Sequence, residues 1–189
     1  HLRNRLFPQL YPFQVATVAV TRPPMMDFRN NPVKAFYDED LEVQVTNSAA
    51  GDTVAILNIT QDDLSNPITP LDLHWVRFTG TTTNTVLTWS APAAITFEDS
   101  LESGNYGIYG LGVQSADSIA VRLIFNNQYL RPAVLSQATI GLIPSDLYDR
   151  KMGLFGTFRN TVPPQIEALG TAAGAEVNTG FMLISKIGN

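Results

Sequence analysis

Asp38, Glu39, Asp40 and Glu42, and further on Glu98, Asp99 and Glu102, are the densest groupings of side chains able to do chemistry in this 189-residue chain. Clustered carboxylates are the ligand type for calcium and the acid and base type for glycoside hydrolysis. The first run lacks the glycine and the alternating aspartates of a calcium loop, and the second has the make-up of a solvated turn, so both are expected to face water. Histidine occurs only at positions 1 and 74 and cysteine not at all, which leaves no ligand set for zinc, iron or a thiolate cluster and no disulfide. His74 shares a strand face with Val76 and Phe78 and reads as a core or rim histidine; no Gly-x-Ser-x-Gly elbow supplies it with a nucleophile. The expected catalytic, cofactor-binding and metal-binding residues are therefore none, with no cofactor and no small-molecule substrate.

Three further patterns have two readings each. Gly107, Gly110 and Gly112 run GxxGxG, the wrong order for a dinucleotide fingerprint and inside a strand; they point to a bulge or to close approach of another backbone. Trp75 and Arg77 lie on the face opposite Val76, which makes them either an outer, interface-forming pair or a core tryptophan with a snorkelling arginine. Asn58-Ile59-Thr60 is a glycosylation sequon by pattern but falls at the end of a covered strand.

The elements that carry these residues are strands. Leu41 to Asn47 alternates, with Leu41, Val43 and Val45 on one side and Glu42, Gln44 and Thr46 on the other, and Ile119 to Phe125 does the same with Ile119, Val121, Leu123 and Phe125 inward and Arg122 outward. Further strands are expected at 13–20, 53–60, 74–79, 85–90, 106–115, within 134–143, and at 154–158, 165–169 and 181–187, with a short one at Ile95 and Phe97. A Thr-rich turn is expected at Gly80 to Asn84 and a soft loop at Thr171 to Gly180. Ser145 to Met152 is the one helix candidate, with Ser145 as N-cap, Asp146 at the positive end, Arg150 and Lys151 at the negative end and Gly153 beyond it. Residues 1–12 (HLRNRLFPQLYP) read as an extended arm and 13–189 as one domain. The fold class expected is all-β, a two-sheet antiparallel sandwich, as a jelly roll of about eight strands.

Charge divides the chain. Residues 1–22 hold Arg3, Arg5 and Arg22 without an acid, residues 23–118 hold 13 acids against three bases, and the net charge is −5. An acidic body is a poor partner for phosphate backbones, so any nucleic acid contact falls to Arg3 and Arg5 of the arm. No apolar run reaches membrane-spanning length and no signal-peptide pattern opens the chain, so a soluble protein is expected. A start at His1 rather than Met reads as a processed or partial product.

Taken together, the arginine-bearing arm, the cysteine-free Thr-, Asn- and Pro-rich body and the proline corners TRPP, RPAV and TVPP resemble a viral coat protein of the single jelly-roll type. The resemblance implies a capsid subunit of a virion that self-assembles through its sandwich and its arm, with copies of itself and other virion proteins as partners and an internal membrane or nucleic acid beneath. The alternative is a carbohydrate-binding or adhesin sandwich with Trp75, Trp89, Tyr106 or Tyr109 as platforms. A sandwich hydrolase using Glu98 or Glu102 ranks last.

Overall fold

The computed structural model describes residues 2–3, 42–43, 73–126, 131–136 and 154–188. They form ten strands: β1 (Leu2–Arg3), β2 (Glu42–Val43), β3 (His74–Asn84), β4 (Ala93–Phe97), β5 (Asn105–Gln114), β6 (Ser118–Ile124), β7 (Ala133–Leu135), β8 (Gly156–Arg159), β9 (Gln165–Gly170) and β10 (Gly174–Gly188). Among the described residues there is no helix. β1 and β2 pair with each other, Leu2 against Val43 and Arg3 against Glu42. The other eight strands make one antiparallel sheet in the order β7-β6-β9-β4-β3-β10-β5-β8.

That order follows a simple rule. In chain order, the first of the eight pairs with the last, the second with the seventh, the third with the sixth and the fourth with the fifth: β3 with β10, β4 with β9, β5 with β8 and β6 with β7. This is one long hairpin of nested pairs. Three more pairings, β3 with β4, β5 with β10 and β6 with β9, join its neighbouring rungs and roll the hairpin up. The sheet consequently curls until β7, at one end of the order, reaches β5 near the other.

The interior is built by strand alternation. Along β3, Val76, Phe78, Gly80, Thr82 and Asn84 are buried, while the residues between them are exposed or half-buried. Val76 and Phe78 meet Ile108 and Val113 of β5, Val121 and Leu123 of β6, Ile166 of β9, and Met182 and Ile184 of β10 in a single core. Each such side chain contributes about 1.5 to 3 kcal/mol by leaving water. β6 is more deeply set than its alternation suggests: Ala120 and Ile124 are buried beside Val121 and Leu123, as befits a strand covered on both faces.

Three expectations are corrected. Gly80 to Asn84 is not a turn but the second half of β3, and 174–180 is not a loop but the first half of β10; the two pair in register from Gly174 against Asn84 to Gly180 against Phe78. The turn falls later, within the stretch expected to be a strand at 85–90: Thr88 N–H donates to Thr85 O at 3.2 Å, with Leu87 in the left-handed region at φ 53°. Threonine-rich sequence suits strands, and a long-range pairing partner decides here over local turn chemistry. The expected helix at 145–152 and strands at 13–20 and 53–60 lie outside the described residues, as does the arm apart from Leu2–Arg3.

Candidate functional site

His74 opens β3 at the rim, exposed, with its ring edge-on to Tyr106 at 6.4 Å between centroids. The second acidic run is on the surface and ion-paired: Glu98 with Arg77 at 2.9 Å and Glu102 with Lys186 at 3.1 Å, while Asp99 is exposed. Of the first run only Glu42 is described, in β2. Among the described residues no three His, Cys, Asp or Glu side chains gather as a metal site would require, and no helix is long and apolar enough to cross a membrane.

The glycines of β5 have a structural use. The pairing slips between Leu183 and Ile184, which face Gly110 and Ile108, so Tyr109 is the extra residue of a bulge. A Cβ on Gly180 of β10 would stand 2.4 Å from Gly112 O and 2.7 Å from Phe78 Cζ. Glycine at these positions lets two backbones and an aromatic ring close up.

Of the four aromatic platforms named from the sequence, Tyr106 is buried and stacks on Phe158 at 5.6 Å, its hydroxyl donating to Glu102 O. Tyr109 is half-buried, and burial pushes its phenol pKa up. Trp75 lies on the outward side of β3, half-buried, because Val76 takes the core. Trp89 is half-buried under the Arg122 guanidinium, whose carbon lies 4.3 Å from the ring centre; Arg122 is in turn ion-paired with Glu167, its registered partner on β9. The Trp89–Arg122–Glu167 group was not foreseen. The signal for it is the cross-strand register of β6 and β9, which sequence alone does not give.

A second unforeseen group closes one end of the roll. Asn178, wholly buried, donates to Thr82 Oγ1 at 2.9 Å; Thr82 donates to Asn84 Oδ1 at 2.7 Å, and Asn84 donates to Ser118 Oγ at 3.0 Å and Asp117 O at 3.1 Å. Beside it, Glu176 Oε1 accepts from the Ser115 hydroxyl and from the backbone N–H groups of Ala116 and Asp117, tying the β5–β6 turn to β10. Burial works to raise the Glu176 pKa, but these donors outweigh it and the net shift is downward.

Just outside this polar plug three apolar side chains are exposed. Val86 and Leu87 stand 51% and 44% exposed at the turn after β3, and Val177 of β10 is 58% exposed. The turn is held in place, since Leu87 N–H donates to Gly170 O at 2.9 Å. The outward register of the β3–β10 pair there, Thr79, Thr81 and Thr83 against Thr179, Val177 and Ala175, carries no charge. At the opposite end, where β5 and β9 begin and β6, β8 and β10 finish, lies a depression of about 490 Å³ bordered by Arg159, Asn126, Val162 and Ile187 among others.

Compared with protein-family models, with curated proteins and with solved structures, the chain matches none of them.

Proposed function

We propose that this chain is a structural subunit, a jelly-roll building block of a virion shell, whose work is association with further copies of itself. Two things support the fold reading. A jelly roll is what results when an eight-stranded hairpin of nested pairs is wound up, with its strands falling into two facing groups of four; here those groups are β7-β6-β9-β4 and β3-β10-β5-β8, linked through the β3–β4 pairing. Side chains from both groups fill the one core.

The observation that carries the self-association reading is the Val86–Leu87 turn with Val177. Left-handed backbone costs a branched residue roughly 1 to 2 kcal/mol, and Leu87 bears that cost to hold an apolar side chain in water. Burial against a second copy offsets it. In a chain of net charge −5, the uncharged outward row of the β3–β10 pair is where two copies approach with least repulsion. The arm, with Arg3 and Arg5, is a further contact to a neighbour or to the particle interior, and the acidic body sets naked nucleic acid aside as its main partner.

Electron microscopy of the native material tests this. A repeated lattice of the chain is the expected result. Free particles, with assembly unchanged by deletion of residues 1–12 and by Val177→Lys, would overturn it.

A further inference from the structure

Arg159 differs from three other cations of the rolled sheet. Arg77, Arg122 and Lys186 each hold a glutamate carboxylate, whereas Arg159, exposed at the end of β8, has no carboxylate partner among the described residues. Arg159 stands at the border of the 490 Å³ depression at the open end of the roll. A guanidinium presents a planar fork of donors that matches a carboxylate.

The rest of the border is mixed in character. Asn126 brings a carboxamide, able to give and accept hydrogen bonds, and Val162 and Ile187, 48% and 47% exposed, form an apolar wall. The floor is firm: Phe158 is buried and stacks on both Tyr106 and Phe97. Mouths of rolled sheets are where small ligands commonly sit, with an apolar surface and a few placed polar groups. We propose that this depression binds a carboxylate-bearing sugar, with the carboxylate on Arg159, a hydroxyl on the Asn126 carboxamide and the C–H face of the ring against Val162 and Ile187. The site is at the far end from the Val86–Leu87 turn and does not rest on the self-association reading; it departs from the expectation that no small molecule binds.

Titration of the full chain with glucuronic acid, glucose and acetate, followed by amide chemical shifts, tests the assignment. Glucuronic acid is expected to saturate, with shifts centred on residues 157–162 and 187, and to bind about tenfold or more tightly than glucose, as a charge-assisted fork to arginine requires. Acetate, lacking the ring, is expected to bind more weakly than glucuronic acid. Arg159→Gln is expected to remove the preference over glucose while leaving the thermal midpoint where it was, because the side chain is on the surface. Equal binding of glucose and glucuronic acid, an unchanged titration of Arg159→Gln, acetate binding as tightly as the sugar acid, or no saturation up to about 50 mM would each overturn the proposal.

Discussion

Ile166 of β9 lies directly over Gly80 of β3, two strands away in the sheet order, so close that a Cβ on the glycine would stand 2.6 Å from Ile166 Cδ1 and 3.2 Å from Ile95 Cγ2. Here β3 and β9 meet across the core. Gly80 occupies an inward position at which any side chain would wedge them apart. Gly80→Ala should therefore destabilise the protein by roughly 1 to 3 kcal/mol through overpacking, and Ile166→Val in the same chain should recover part of the loss. Urea unfolding of the single and double variants measures both. If Gly80→Ala alone proved neutral, the close packing of β3 on β9 at this point would be wrong.

Glu176 gives a pH signature. Its carboxyl is held below the ordinary glutamate range by the Ser115 hydroxyl and the Asp117 and Ala116 amides, against the opposing effect of burial. A carboxyl with a lowered folded pKa stabilises the fold above its unfolded value, and that stability disappears as pH falls through the folded value. The gap in unfolding midpoint between the native chain and Glu176→Gln should be widest near neutral pH and should shrink as the solution is acidified below the ordinary glutamate range. A gap that stayed constant with pH would show that the carboxylate does not tie the β5–β6 turn to β10.

Asn178 is buried with its Oδ1 unmatched by any hydrogen-bond donor. An amide tolerates this at a cost of about 1 to 3 kcal/mol, and an isosteric apolar group escapes it. Asn178→Leu should accordingly lie within about 1.5 kcal/mol of the native chain. Asn178→Asp, which buries an unpaired charge, should cost roughly 3 to 5 kcal/mol at neutral pH. That cost should fall in acid, because burial raises the carboxyl pKa and the neutral form is the one the site accepts. Thermal unfolding of the two variants at pH 7 and pH 4 separates these outcomes. Equal stability at both pH values for Asn178→Asp would mean the position is open to water.

What was legible in the sequence was whatever depends on neighbours along the chain. Ile119 to Phe125 reads as a strand from its alternation, and β6 occupies 118–124. The all-β class follows from repeats of the same pattern, and the glycines of β5 announce close backbones by their lack of side chains. What depends on partners far along the chain was not legible. Gly174 to Gly180 is small and polar enough to pass for a loop until Thr79–Asn84 pairs with it. Glu98 and Glu102 look like free acids until Arg77 and Lys186 are brought beside them. Tyr106 looks like a surface platform until the stacking of Phe158 places it in the core. Arg159 and Ile187 are 28 residues apart in sequence and border one depression only because the hairpin is rolled.

Leu87 separates folding from assembly. Glycine adopts the left-handed region without the steric cost that leucine bears there, so Leu87→Gly should raise the stability of the isolated subunit by about 1 kcal/mol while removing an apolar contact from the surface proposed to meet a second copy. A purely internal role for Leu87 would move the two properties together.

Sedimentation equilibrium of the native chain, Leu87→Gly and Val177→Lys over a wide concentration range is the most direct test. Reversible association of the native chain, weakened at least tenfold in both variants with their far-ultraviolet spectra unchanged, is the result predicted by a subunit that works through its Val86, Leu87 and Val177 surface. A native chain that stays monomeric at every concentration, or variants that associate as strongly as it does, would contradict it.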